Sequence, residues 1–84
     1  MTNNEIKDIL MHALFLQEVY VTLQSNHVHI IAIDKRFFGI SPVKQQQIIY
    51  APLMQYIADK SIHALSIKVF TPQEWQTYCK LNKL

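Results

Sequence analysis

Apolar positions along this chain alternate between a spacing of about 3.6 and a spacing of two, and each switch predicts an element. Ile6, Ile9, Leu10, Ala13 and Leu14 share one helical face, and Thr2 and Glu5 ahead of them have capping-box spacing. From Leu16 to Leu23 the period falls to two. Val19, Val21 and Leu23 point one way and Glu18, Tyr20 and Thr22 the other. The polar break Gln24–His27 holds Asn26, a residue suited to the left-handed backbone of a turn. A second strand, Val28–Ile33, follows and forms an antiparallel hairpin with the first. Asp34–Ile40 reads as a loop around Gly39. Ser41 then caps a helix that has Pro42 at its first position. The apolar face of Val43, Ile49, Tyr50, Leu53, Met54 and Ile57 is interrupted at Pro52, which predicts two short helices, about 42–50 and 52–59. Ala64–Phe70 is a third strand with Leu65, Ile67 and Val69 on one face. Thr71 and Glu74 form a second capping box around Pro72, opening a last helix to about Cys79. Gln45, Gln46 and Gln47 read as a solvated helix face. Lys80 and Lys83 suit the negative end of the last helix.

The order is therefore αββααβα, an α+β fold. A helical crossover between the second and third strands makes them parallel if both lie in one sheet in the same sense. The expectation is a three-stranded mixed sheet with helices packed on one face. His27 and His63 each immediately precede a predicted strand. In a parallel pair both histidines arrive at the same sheet edge.

Composition narrows the classes. Half of the 84 residues are hydrophobic and 17% are charged, which fits one globular domain over residues 1–84 and not a disordered chain. The formal charge of +2 is too mild to imply nucleic acid by itself. A single cysteine, Cys79, excludes an internal disulfide and fits a reducing compartment. No leader is visible at the N-terminus, and no apolar run approaches the roughly 18 residues of a membrane span. The expectation is a cytoplasmic protein without membrane contact.

Three constellations could carry chemistry. Neutral imidazoles ligate zinc and iron. His27 and His63 with Cys79 do not complete a four-ligand structural zinc site. Two histidines can serve one iron of a two-iron cluster if the other ligands come from elsewhere. Spacing alone leaves ordinary strand-end histidines as the simpler reading. His29 shares the face of His27 and competes for its role; His12 reads as a surface residue of the first helix. The cations Lys35, Arg36, Lys44 and Lys68, with Phe37 and Phe38, form a second constellation, able to meet a phosphate backbone or stacked bases. The simpler alternative is a solvated loop with a phenylalanine anchored in the core. Trp75, beside Tyr78, packs the last helix on the sheet or, if partly exposed, anchors a partner. Catalysis is not expected. Asp8, Glu18, Asp34, Asp59 and Glu74 are scattered, Cys79 lies late in its helix, and one glycine precludes a phosphate-binding loop.

The stretch FFGISPVKQQQIIYAPLMQYIADKSIHALSIKVFTPQEW resembles the BolA family, and from NNEIKDILMHAL onward the chain is similar to its short IbaG (YrbA) branch. The resemblance covers nearly the whole chain. It is carried by Phe38-Gly39-x-Ser41-x-Val43-Lys44 and by His63 ahead of the third strand with Thr71-Pro72 after it. It implies a type II KH-like arrangement of the same seven elements. It also implies a partner role: pairing with a monothiol, CGFS-type glutaredoxin around a shared [2Fe-2S] cluster. Glutaredoxin cysteine and glutathione would ligate from one side, and His63 with His27 from this chain. Iron–sulfur trafficking and iron or stress homeostasis follow as the expected function, with self-pairing of the free chain left open. The family usually has Ser-Arg-Val-Lys where this chain has Ser41-Pro42-Val43-Lys44. The missing arginine, and the missing GXXG loop that KH domains use for RNA, weaken the alternative of a DNA-binding stress regulator.

Overall fold

The computed structural model describes residues 1–82; Lys83, assigned above to the last helix end, lies outside them. Helix α1 spans Asn3–Leu14, strands β1 and β2 span Glu18–Gln24 and His27–Ile33, and helices α2 and α3 span Pro42–Tyr50 and Met54–Ala58. Strand β3 spans Ala64–Phe70 and helix α4 spans Pro72–Asn82. Single 3-10 turns occupy Lys35–Phe37 and Ala51–Leu53. The sheet order is β1-β2-β3, with β1 antiparallel and β3 parallel to β2. This is the mixed sheet expected of an αββααβα chain.

Local chemistry explains the boundaries. Both capping boxes form: the Thr2 hydroxyl accepts from Glu5 N–H while Thr2 N–H donates to Glu5, and Thr71 with Glu74 repeats the exchange. The Glu5 carboxyl is held below its ordinary pKa by these bonds with Thr2. Ser41 accepts from Lys44 N–H to start α2, with Pro42 in the first turn. Pro52 falls within the second 3-10 turn, which joins α2 to α3 and resolves the expected break.

The hairpin is tighter than its polar residues suggested. Gln24 pairs with His27, so only Ser25 and Asn26 remain in the turn. Ser25, not Asn26, takes the left-handed conformation, with φ of 54°. A positive φ at the first central residue is a feature of the primed turns, which suit the twist of a two-residue hairpin. His27 is consequently the first residue of β2 and not the residue before it.

Alternation along the strands sorts the two faces. Val19, Val28, Ile30 and Ala32 are buried with Ile6, Leu10, Leu16, Phe37, Ile49, Leu53 and Ile62 in one core, and Leu65, Ile67 and Val69 pack against it. Helices α1, α2 and α3 form this layer. Ala13, expected on the inner face of α1, is exposed, and Met11 packs on the core instead. Helix α4 is an addition to the expected single layer. Its Trp75 stacks on Tyr20 of β1 with ring centroids 5.6 Å apart, and both Trp75 and Tyr78 pack on Phe70. Tyr20 and Phe70 belong to the opposite face of the sheet, so α4 covers one end of that face.

Candidate metal-ligand edge

The histidine edge is built by the parallel register. His27 pairs with Ala64 and His29 with Ser66. His63 is one residue ahead of Ala64, so β2 and the approach to β3 bring His27 and His63 to the same edge. The loop before His63 is pinned. Lys60 adopts a left-handed conformation, Asp59 accepts from Ser61 N–H at 2.9 Å, and Ile62 N–H donates to the Tyr56 carbonyl at 3.0 Å. The Ser61 hydrogen bonds hold the Asp59 carboxyl below its usual pKa. Ile62 is buried in the core, which leaves its neighbour His63 on the surface.

The two histidines do not share one side of the sheet. His63 lines small cavities with Tyr50, Ile57 and Ile62 on the helix-covered side. His27 faces the other side, where its Nε2 lies 2.7 Å from Ser66 Oγ. Ser66 is the diagonal neighbour of His27 across the parallel pair, within side-chain reach. His29 is the next residue on that face, and its ring stacks on His27 with centroids 4.3 Å apart and planes 6° apart. The sequence pattern showed that His27 and His29 share a face. Ser66 went unnoticed because its contact requires the register, although its position opposite Leu65 and Ile67 already marked it as facing outward.

Among the described residues, no group of three or more His, Cys, Asp or Glu side chains is arranged to hold a metal ion. Cys79, half-buried in α4, lies in a different element from both histidines. The chain's donors at this edge are thus the imidazole of His27 on β2 and that of His63 just ahead of β3, too few to close a coordination shell. That donor set does not fit a self-contained structural zinc site, which takes four protein ligands.

Of the basic constellation, Lys35 and Arg36 lie just past the opposite end of β2, about 20 Å away along a seven-residue strand. Arg36 is engaged structurally. Its guanidinium contacts Asp34 at 3.2 Å and donates to the Phe15 carbonyl at 3.1 Å. Asp34 is 7% exposed and also accepts from Gln17 N–H and Arg36 N–H, both at 2.9 Å. Burial opposes ionisation there, but the hydrogen bonds from Arg36 and Gln17 and the Arg36 charge outweigh it and lower the Asp34 pKa. Lys35 and Lys44 are exposed, on the 3-10 turn and on α2 respectively. Lys68 is on the other side of the sheet, with Nζ 5.8 Å from the Tyr78 ring centroid. Phe37 is the anchored phenylalanine, 1% exposed, whereas Phe38 is 84% exposed. Gly39, with φ of 75°, turns the loop toward α2.

Trp75 is half-buried and its ring is occupied by Tyr20, Phe70 and Tyr78. It docks α4, and only part of its surface remains open. Beside it, Tyr20 has a raised pKa, from burial first and then from the Glu18 carboxylate that accepts its hydroxyl.

A family model described as BolA-like protein matches residues 6–74. The chain is 55% identical over 82 residues to the acid stress protein IbaG of Escherichia coli (strain K12), covering 98% of each. It is 40% identical to an uncharacterised protein of Haemophilus influenzae, over 94% of this chain and 93% of that one. Among solved structures, the BolA domain of SufE1 from Arabidopsis thaliana superposes with a TM-score of 0.71 at 27% identity, covering 86% of this chain and 93% of that one. A BolA protein homologue from Coxiella burnetii gives a TM-score of 0.71 at 25% identity, covering 90% and 97%. With a family match over most of its length and a near-full-length relative at this identity, the chain belongs to the BolA family.

Proposed function

We propose that this chain is the histidine-donating partner of a monothiol, CGFS-type glutaredoxin, and that the pair holds a bridging [2Fe-2S] cluster for iron–sulfur trafficking in iron and stress homeostasis. One observation carries the reading. Parallel pairing of β2 and β3 brings His27 and His63 to one sheet edge, in a set too small to bind metal without help. His63 is the exposed donor and His27 the half-buried one. Glutaredoxin cysteine and glutathione would complete the shell. The cluster supplies one-electron redox chemistry and a transferable iron–sulfur unit. The chain's contribution is to present neutral imidazoles, which lack the negative charge of thiolates, on a rigid edge pinned by Ile62. The role is that of a binding partner and not of an enzyme. The name of the Escherichia coli relative supports a connection with stress.

The test is reconstitution without oxygen from the protein, such a glutaredoxin, glutathione, iron and sulfide. A coloured heterodimer is expected, and its visible absorption and circular dichroism should change markedly with His63→Ala. An unchanged spectrum overturns the ligand assignment. Cluster binding by this chain alone overturns the need for a partner.

A further inference from the structure

We propose that the end of the molecule around Phe38 is a self-association surface, on which a second copy of this chain lays its own Phe38 over the groove beside helix α4. The groove runs between the Phe38–Ile40 loop and α4 and offers about 750 Å³. Phe38, Ile40, Phe70, Tyr78 and Leu81 line it, and Glu74 adds one carboxylate. It lies where β2 and β3 finish, at the far end of the sheet from His27 and His63, so it is independent of the cluster-partner reading.

Exposure sets this end apart. Phe38 is 84% exposed and Leu81 79%, and both line the same groove. Its neighbour Phe37, 1% exposed, already anchors the turn in the core, so the second ring adds nothing to that anchor. The loop that carries Phe38 is held firmly. Ile40 N–H donates to the Phe37 carbonyl, and the Gln45 side chain donates to the carbonyls of Phe37 and Ile40. Beside Phe38, nothing lies within 4 Å of where a Cβ on Gly39 would stand, so an incoming ring can reach the backbone. Apolar side chains presented together and rimmed by polar ones mark a contact surface.

Charge selects the occupant. Lys35 is exposed on the same turn as Phe37, and Glu74 is exposed in the groove. Neither has an ion pair among the described residues. One Glu74 oxygen accepts from Thr71 N–H at 2.8 Å, which leaves the other for a partner. The chain thus carries an apolar knob next to a cation, and an apolar groove next to an anion. A two-fold axis through this end sets each Phe38 over the other copy's groove and each Lys35 toward the other copy's Glu74. That is the self-complementary arrangement of an isologous contact. A phosphate backbone or an anionic membrane would instead meet Glu74 as a like charge.

Sedimentation velocity of the full chain from about 10 µM to about 1 mM tests this, the range in which a small transient contact populates a dimer. A monomer–dimer equilibrium is expected. Phe38→Asp should raise its Kd about tenfold or more, as for a central anchor. Thermal denaturation of that variant is expected to match the unaltered protein, since the ring is almost fully exposed. Lys35→Gln and Glu74→Gln should each weaken the dimer, and the double variant should weaken it less than the two effects combined. Glutamine at 74 retains the capping box, so α4 stays started. His63→Ala should leave the equilibrium unchanged. A chain that stays monomeric at the highest concentration, or a dimer indifferent to Phe38→Asp, overturns the proposal. Strictly additive effects at Lys35 and Glu74 overturn the two-fold arrangement, and a dimer lost with His63→Ala places the contact at the histidine edge instead. A monomeric chain that binds phosphatidylglycerol–phosphatidylcholine vesicles through Phe38 overturns the proposal in favour of a lipid surface.

Discussion

Asp34 shows how much one side chain can organise. It closes β2, caps the following turn through Arg36 N–H, and accepts from Gln17 in the approach to β1. Its Arg36 partner also satisfies the carbonyl of Phe15, the left-handed residue that ends α1. Replacing Asp34 by Asn is expected to destabilise the protein by roughly 1.5–3 kcal/mol at neutral pH, the range for hydrogen bonds to a charged group. The sign of its pH dependence follows from the lowered pKa. A depressed carboxyl contributes fully above its unfolded value of about 3.9 and loses that contribution as pH falls through the folded value. Urea denaturation of both proteins between pH 7 and pH 2.5 checks this: the gap between them should be constant above about pH 5 and shrink below pH 4. A gap that persists undiminished at the acid limit would contradict the assignment. The same residue explains why Arg36 is a poor choice for a free phosphate contact.

At the scale of elements, α2 and α4 hold on by different means. Helix α2 inserts Ile49 into the core, and its glutamines do more than meet solvent. Gln45 donates to the carbonyls of Phe37 and Ile40, and Gln46 donates to Ile67 on the edge strand β3. The expected solvated face is therefore partly a set of clamps on loop and edge carbonyls. Nothing in the residue spacing marks this, because the acceptors are backbone atoms brought near by the tertiary fold. Helix α4 has no fully buried residue and depends on the cluster of Trp75, Tyr78, Phe70 and Tyr20. Aromatic pairs contribute about 0.5–1.5 kcal/mol each beyond their buried area. Trp75→Ala should therefore release α4 while the sheet survives. Native-state hydrogen exchange is expected to show α4 amides losing most of their protection and β2 amides keeping theirs. Uniform loss across both would show that α4 is integral to the cooperative fold.

For the whole molecule, the two ends of β2 have different chemistry. The histidine edge is at its start and the Asp34–Arg36 knot at its finish. The cations named for DNA do not form one stripe: Lys44 rides on the helical layer, Lys68 faces the opposite side, and Arg36 is paired. No helix among the described residues is long and apolar enough to cross a membrane. Duplex binding should accordingly be weak at low salt and vanish by about 150 mM, since affinity gained by neutralising phosphates falls linearly in log–log form with salt. Titration of a labelled duplex at several salt concentrations checks it. Tight binding at 150 mM with a steep salt slope would restore the regulator reading.

The chain's own pattern determined the element order, both capping boxes, the break at Pro52 and the pairing sense of β2 and β3. These rest on local spacing and on the constraint that a helical crossover places on strand direction. It also singled out His27 and His63, because strand starts in a parallel pair share an edge. Tertiary structure alone decided which way those imidazoles face, the engagement of Nε2 by Ser66, the stacking of His29, and the diversion of Arg36 to Asp34. Each depends on register or on two distant segments meeting, and a pleat reverses a side chain's face with every single residue of offset. The placement of α4 on the second face has the same origin: its aromatic stripe was readable, but the sheet surface it would cover was not.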